Sequence, residues 1–319
     1  MTAADAPVAI RATGLRKSYG SQVVLDGIDL EVPQGSVFAL LGPNGAGKTT
    51  TVHILATLLA ADGGSAFVGG HDVAREADAV RGLIGVTGQV SAVDKQFTGE
   101  ENLRLIADLR HLGREEGRRR VAGLLERFDL VDAAGKPAST YSGGMRRRLD
   151  LAMTLIGDPR IIFLDEPTAG LDPRSRRVMW QAIRELVAGG VTILLTTQYL
   201  EEADRLADRI AILDHGRIVA QGTPAQLKRL VPGGHVRLTF ADAAELDRAA
   251  SSLEVLARDD EALSLLVPGS NGVSSLRALL DRLDAGSLVV SELSVQTPDL
   301  DDVFLTLTGD QDPAQVAVR

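Results

Sequence analysis

The chain has no cysteine among its 319 residues. That excludes a disulfide framework, a thiol nucleophile and a thiolate metal site together. It also lacks any apolar run near the roughly 18 to 20 residues needed to cross a bilayer. Stretches such as Val37–Leu41 and Val191–Leu195 are strand-length and stop at Gly42 and Thr196. The opening residues Met1 to Pro7 do not have the basic-then-apolar order of a secretory leader. A cytosolic chain is therefore expected, unless another chain holds it at a membrane. Positive charge is short as well: 34 Lys and Arg stand against 43 Asp and Glu, for a net charge of −9. Broad nonspecific nucleic-acid binding needs the opposite balance. None of the five histidines pair at metal-ligand spacing, and there is no long-period repeat or low-complexity tract.

What remains is ordinary globular composition, 45% hydrophobic and 24% charged, enough to bury a sizeable core. The length fits one large domain with a smaller one. Over residues 8–230 strand-like runs (Val8–Ile10, Val23–Val32, Val37–Leu41, Ile161–Leu164, Val191–Leu195) alternate with helical patterns. Those patterns cover Lys48–Leu59, Glu101–Leu112, Glu115–Phe128, Met145–Ile156 and Arg174–Val187. Alternation of this kind predicts a mostly parallel sheet covered by helices. Ile210–Ala220 reads as a hairpin turning at Asp214-His215-Gly216. Val231–Gly234 reads as a linker, followed by a small α+β domain over 235–309. There, strands are expected at His235–Phe240, Ala262–Val267 and Ser287–Ser294, with a helix at Ser274–Leu283 and fraying from about Gly309.

The strongest chemical signal is Gly42-Pro43-Asn44-Gly45-Ala46-Gly47-Lys48-Thr49-Thr50, a phosphate-binding loop pattern of Gly, four free positions, then Gly-Lys-Ser/Thr. Chance would place it in about one chain of this length in a hundred, and here it also follows an apolar strand and opens a helix. Backbone N–H groups of such a loop close around phosphate oxygens, helped by the helix N-terminus. Lys48 can reach the β- and γ-phosphates, and Thr49 can offer its hydroxyl to Mg²⁺. Ile161-Ile162-Phe163-Leu164-Asp165 supplies the second carboxylate at a strand end, able to hold Mg²⁺ or its water. Glu166 follows and can polarise the water that attacks the γ-phosphate.

Tyr141-Ser142-Gly143-Gly144-Met145, upstream of Asp165, resembles the signature motif of ABC-type ATPases. Further positions resemble that family in its order: Tyr19 the adenine-stacking aromatic, Gln89 the Q-loop glutamine, Ala169-Gly170-Leu171-Asp172 the D-loop. The resemblance implies an α/β P-loop NTPase of ABC type, a mixed sheet core plus a helical subdomain that docks a membrane partner. It implies ATP and Mg²⁺ as cofactors, with Thr49, Gln89 and Asp165 at the metal. Ser142, Gly143 and Gly144 would form a second helix N-terminus facing the phosphate loop of a second copy, so that two ATP molecules lie between two chains.

Two positions depart from the common pattern. Met145 stands where Gln is usual, and Gln198, in Thr196-Thr197-Gln198-Tyr199, stands where the switch histidine is expected. A glutamine amide still donates a hydrogen bond to the γ-phosphate but cannot become a cation. With Tyr141–Asp150, Thr196–Asp204 and the late run Leu300–Gly309, the chain looks like the daunorubicin and doxorubicin resistance ATP-binding proteins. That implies the ATPase half of an exporter of drug-like, antibiotic or lipid compounds. It would be a homodimer on the cytoplasmic face of a polytopic permease, with no nucleic acid and no membrane insertion of its own. The competing reading is a soluble ABC ATPase acting on ribosomes or nucleic acid, which one cassette and an acidic balance oppose. A P-loop GTPase or small-molecule kinase is opposed by the signature motif and the lack of Asn-Lys-x-Asp. Arg118–Arg120 and Arg146–Arg148 read as solvated helix faces, and Phe304 as core of the appendage.

Overall fold

The computed structural model describes residues 7–230, 234–269, 273–296 and 299–308. Two compact units divide between Pro224 and Ala225, a little ahead of the boundary expected at 230. In the first, β1 (Val8–Tyr19) and β2 (Gln22–Pro33) form an antiparallel hairpin. Alternate residues of these strands, among them Ile10, Ala12, Leu25 and Ile28, turn inward. β3 (Val37–Leu41) is buried at every position, as a strand covered on both faces must be. The helix after it, α1 (Lys48–Leu55), is shorter than its apolar pattern because Thr57 adopts a left-handed φ of 62°.

Next come β4 (Gly63–Val68), β5 (His71–Asp72), α2 (Ala77–Leu83) and β6 (Ile84–Thr87). Three helices follow: α3 (Gly99–Leu109), α4 (Arg114–Arg127) and α5 (Gly143–Leu155). α3 starts at a complete capping box, Thr98 with Glu101. It packs against both α4 and α5, making the helical subdomain. The unit then runs through β7 (Ile161–Asp165), α6 (Pro173–Ala188), β8 (Thr192–Thr197), α7 (Leu200–Leu206), β9 (Arg209–Asp214) and β10 (Arg217–Gly222). A short helix, α8 (Pro224–Lys228), spans the division.

These strands form two sheets. One is antiparallel, in the order β2-β1-β4-β5; the other runs β10-β9-β3-β8-β7-β6. In the second, β9 through β6 are parallel and β10 is antiparallel at its edge. The β9–β10 hairpin turns at His215 and Gly216, both at positive φ (44° and 77°), the backbone that two-residue hairpin loops need. α1 packs against β2 and β4 on one side and β7 on the other. Its Val52, Ile54 and Leu55 share a core with Ile10, Leu25, Phe38 and Phe163. Each large side chain fully buried there contributes about 1.5–3 kcal/mol of hydrophobic stabilisation. β3, β8, β7 and β6 all end at the same edge, where ligands of open α/β sheets bind.

The second unit holds β11 (Gly234–Thr239), α9 (Ala243–Ser252), β12 (Ala257–Asp259), β13 (Ser264–Gly269), α10 (Val273–Ala285), β14 (Glu292–Gln296) and α11 (Leu300–Thr308). The strands form an antiparallel sheet in the order β12-β13-β11-β14. Val236, Leu238, Phe240, Leu246, Leu265, Val267, Leu279 and Leu283 make its core. Phe304, on α11, is half-buried. Residues 231–233 of the expected linker, the N-terminal residues 1–6 and the stretch expected to fray from Gly309 lie outside the described residues.

Candidate functional site

β3 delivers the chain to the sheet edge at Leu41, residues 42–47 wrap back, and α1 opens at Lys48. Gly47 caps α1 at a φ of 108°, in left-handed space that side chains avoid. A Cβ there would also lie 2.6 Å from Leu25 Cδ2 and 2.9 Å from the Val24 carbonyl oxygen. At Gly42 a Cβ would fall 2.3 Å from the Leu213 carbonyl oxygen, so β9 closes that side. Lys48 is 5% exposed. Its Nζ donates to the carbonyl oxygens of Gly42 (2.8 Å) and Pro43 (3.0 Å) and lies 3.8 Å from Glu166 Oε1. Burial holds this ammonium below its ordinary pKa, while the carboxylates of Glu166 and Asp165 act in the opposite sense.

Asp165 is the last residue of β7 and is buried. Its Oδ2 accepts from Thr49 Oγ1 (2.9 Å) and its Oδ1 from Thr196 Oγ1 (2.5 Å). Glu166 comes next with a φ of 50°. Its backbone N–H donates to both Thr196 Oγ1 (3.0 Å) and the Thr196 carbonyl (3.2 Å). A non-glycine residue in that conformation is strained by about 1–2 kcal/mol, so the Thr196 contacts hold it. Gln89 Nε2 reaches Glu166 Oε2 at 3.3 Å. The Thr49 hydroxyl, the Asp165 carboxylate and the Gln89 amide oxygen are the hard oxygen donors that suit Mg²⁺.

A cleft of about 450 Å³ lies over this edge, lined by Tyr19, Gln22, Val24, Asn44, Gly45, Gly47, Lys48, Thr49, Thr50, Gln89, Glu166 and Gln198. Gly42, Pro43, Ala46 and Asp165 are not part of that lining. Tyr19, at the end of β1, is half exposed, with Lys17 Nζ 5.8 Å from its ring centroid. Ser142, Gly143 and Gly144 do not line the cleft of their own chain. Ser142 caps α5 by accepting from the Met145 N–H (3.2 Å), and both it and Gly143 are exposed. The two glycines differ. A Cβ at Gly143 would meet nothing closer than 4.0 Å, but one at Gly144 would fall 2.4 Å from Ser175 Oγ on α6.

Residues 25–169 match the family model described as ABC transporter. A daunorubicin resistance ATP-binding protein, DrrA2, from Streptomyces coeruleorubidus is 49% identical, covering 94% of this chain and 95% of its own. A doxorubicin resistance ATP-binding protein from Mycobacterium tuberculosis is 43% identical over 95% and 94%. The Nod factor export ATP-binding protein I of Ralstonia nicotianae is 38% identical over 93% and 92%. The chain belongs to the ABC transporter ATPases. Among solved structures, an ATP-binding subunit of an ABC transporter superposes with a TM-score of 0.63 at 30% identity, covering 70% of this chain and 92% of its own.

Two residues of this ABC ATPase's site region carry no motif that marks them. Arg147 is no solvated residue: it is 9% exposed, and its guanidinium donates to the carbonyls of Gly88, Asp165, Glu166 and Pro167. A basic run normally marks a wet helix face, but Arg147 shares its face with Asp150 and Leu151, both buried. That helical phase was the available signal. Its neighbour Arg148 donates to the Phe128 carbonyl (2.6 Å), so it too is partly engaged. Glu202 on α7 is fully buried, its Oε1 accepting from Thr168 Oγ1 (2.8 Å) and Trp180 Nε1 (3.1 Å). Burial pushes its carboxyl above the ordinary carboxylate range. Glu202 thereby joins the segment before the D-loop to α6.

Proposed function

We propose that this ATPase powers an exporter of drug-like, antibiotic or lipid compounds, as a homodimer on the cytoplasmic face of a separate polytopic permease. The observation that carries the reading is the gathering of Lys48, Thr49, Gln89, Asp165, Glu166 and Gln198 at one sheet edge, with Ser142 and Gly143 exposed away from it. The export and drug-resistance names of the relatives support the direction and the class of cargo.

ATP enters the cleft with its adenine against Tyr19 and its phosphates over the N-terminus of α1. Lys48 Nζ, now on two loop carbonyls, turns to the β- and γ-phosphates. Thr49 and Asp165, with Gln89 beside them, would hold Mg²⁺, which would supply neutralisation of the phosphate charge. Glu166 accepts a proton from the attacking water, and Gln89 orients that carboxylate through its amide. Gln198 donates to the γ-phosphate. Ser142 and Gly143 of a second copy close the site from the far side, their exposed helix N-terminus facing the γ-phosphate. Closure on ATP and opening after hydrolysis then bias the permease between two states.

The test is affinity capture of the protein from gently solubilised host membranes, read by mass spectrometry. A polytopic membrane protein at near-equal amount is the expected result. Ribosomal proteins or DNA in its place would leave the ATPase chemistry and overturn the exporter reading.

A further inference from the structure

Gln89 sits in the crossing from β6 to α3, and both flanks of that crossing are held by one pair of buried side chains on α5. On one side Arg147 Nη1 donates to the Gly88 carbonyl at 2.9 Å. On the other, Asp150 Oδ1 accepts from the Ala92 N–H at 3.2 Å. The two side chains pair with each other at 3.3 Å, with Arg147 9% and Asp150 3% exposed. The rest of the guanidinium goes to the strand end that carries the carboxylates. Nη2 donates to the carbonyls of Asp165 and Glu166, each at 3.0 Å, and Nε to that of Pro167 at 2.9 Å.

A guanidinium has five N–H donors in a planar fork, and Arg147 uses all of them. The acceptors are four main-chain carbonyls, at and beyond the ends of the neighbouring parallel strands β6 and β7, and the Asp150 carboxylate on α5 itself. The carbonyls of Gly88, Glu166 and Pro167 lie past the ends of β6 and β7, where the sheet ladder supplies no donor, and a carbonyl buried without one is destabilising. A rigid fork that satisfies all four carbonyls also fixes their spacing. Glu166 is the residue for which spacing matters most, because its φ of 50° persists only where the surroundings hold it.

We propose that Arg147, braced by Asp150, is a positioning residue for hydrolysis: it ties the helix begun by Ser142 and Gly143, the Gln89 loop and the main chain of Glu166 into one body. The proposal rests on the reading of Glu166 as the group that activates water. Its consequence is that the contact made by the exposed end of α5 and the orientation of the hydrolytic carboxylate are set by one side chain.

The experiment compares full-length wild type with Arg147→Gln, Arg147→Lys and the double variant Arg147→Leu/Asp150→Leu. Steady-state Mg-ATPase kinetics, binding of a fluorescent ATP analogue and thermal melting are measured on each. Lysine keeps the charge but has three donors on one atom and no fork; the leucine pair restores an apolar fit in place of the buried ions. The expected result is a kcat lower by about tenfold or more in all three, with KM and analogue affinity within about threefold of wild type. Wild-type kcat in Arg147→Gln or in the leucine pair would overturn the proposal. So would a fall in kcat matched by an equal loss of nucleotide affinity. If neither the glutamine variant nor the leucine pair folds, the pair is a folding determinant, and the proposal fails on that ground. Glu166→Gln, run alongside, separates the two assignments: wild-type turnover in it defeats the role of Glu166 whatever Arg147 does.

Discussion

Gln198 follows directly on the end of β8, where a histidine is common in this family, and its contribution to turnover has a calculable size. The side chain is exposed and lines the cleft. The backbone on either side is held independently. Thr197 accepts from the Tyr199 N–H through its Oγ1 (2.9 Å), and its carbonyl accepts from the Gly42 N–H (3.4 Å). Truncation to alanine therefore leaves the strand end in place and changes stability by no more than about 0.5 kcal/mol. What it removes is one neutral hydrogen bond to the γ-phosphate, worth about 0.5–1.5 kcal/mol. At about 1.36 kcal/mol per decade of rate, kcat for Gln198→Ala should fall about two- to twelvefold. Gln198→His should do the reverse below neutrality. An imidazolium donor is worth about 1.5–3 kcal/mol, so its rate should rise as pH falls through about 6.5, where the wild-type rate has no such step. The assay is phosphate release at saturating Mg-ATP across that range. An alanine variant with wild-type kcat would refute the reasoning and leave Gln198 as a strand-end residue.

Three further outcomes are expected. Gly47→Ala places a Cβ against Val24 and Leu25 at a left-handed φ; strain and overpacking together cost about 2–5 kcal/mol, read as a lower melting temperature and weaker ATP binding, and an unchanged pair of values would sink the packing argument. For Glu202, the folded chain keeps a proton that the unfolded chain gives up above its ordinary value of 4.5, so that stability is fully present below 4.5 and is lost as pH rises through the raised folded value. Glu202→Gln lacks that loss, and its melting temperature should gain on wild type steadily toward alkaline pH; parallel curves would show that the carboxyl titrates normally. Finally, Lys48→Ala and Ser142→Arg, each nearly inactive alone, should recover about a quarter of wild-type turnover when mixed in equal amounts. Random pairing makes half the dimers mixed, each with one intact composite site. No recovery would argue that each chain closes its own site.

Much of the candidate site is legible in the sequence because its residues announce themselves by type and order along the chain. Gly42–Thr50 follows a fully apolar strand, and Asp165 ends another, so parallel strands on either side of β8 bring the two to one edge. The hairpin at His215 and Gly216 was legible for a similar reason, since only certain residues tolerate both positive φ values. Other features were not. β4 begins with Gly63 and Gly64, which carry no strand preference, and it exists because β1 pairs with it. α9 and α11, with their Asp and Glu, show little apolar pattern although both bury apolar residues, Leu246 and Val303 among them. Arg147 and Glu202 were hidden for a deeper reason. A charge is buried only when partners distant in sequence converge on it, and nothing local to Arg146–Arg148 records where Gly88 and Pro167 will be.

The placement of Ser142 and Gly143 outside their own cleft has a consequence for concentration. If Ser142 and Gly143 of a second copy complete each site, a single chain carries two halves of different sites and no whole one. Activity per molecule should then fall on dilution, as any second-order process does. Two ATPases carried on one permease would meet at the high local concentration that tethering provides. The permease could thus act as a switch simply by keeping its two motors within reach of each other, before any signal about cargo passes between them.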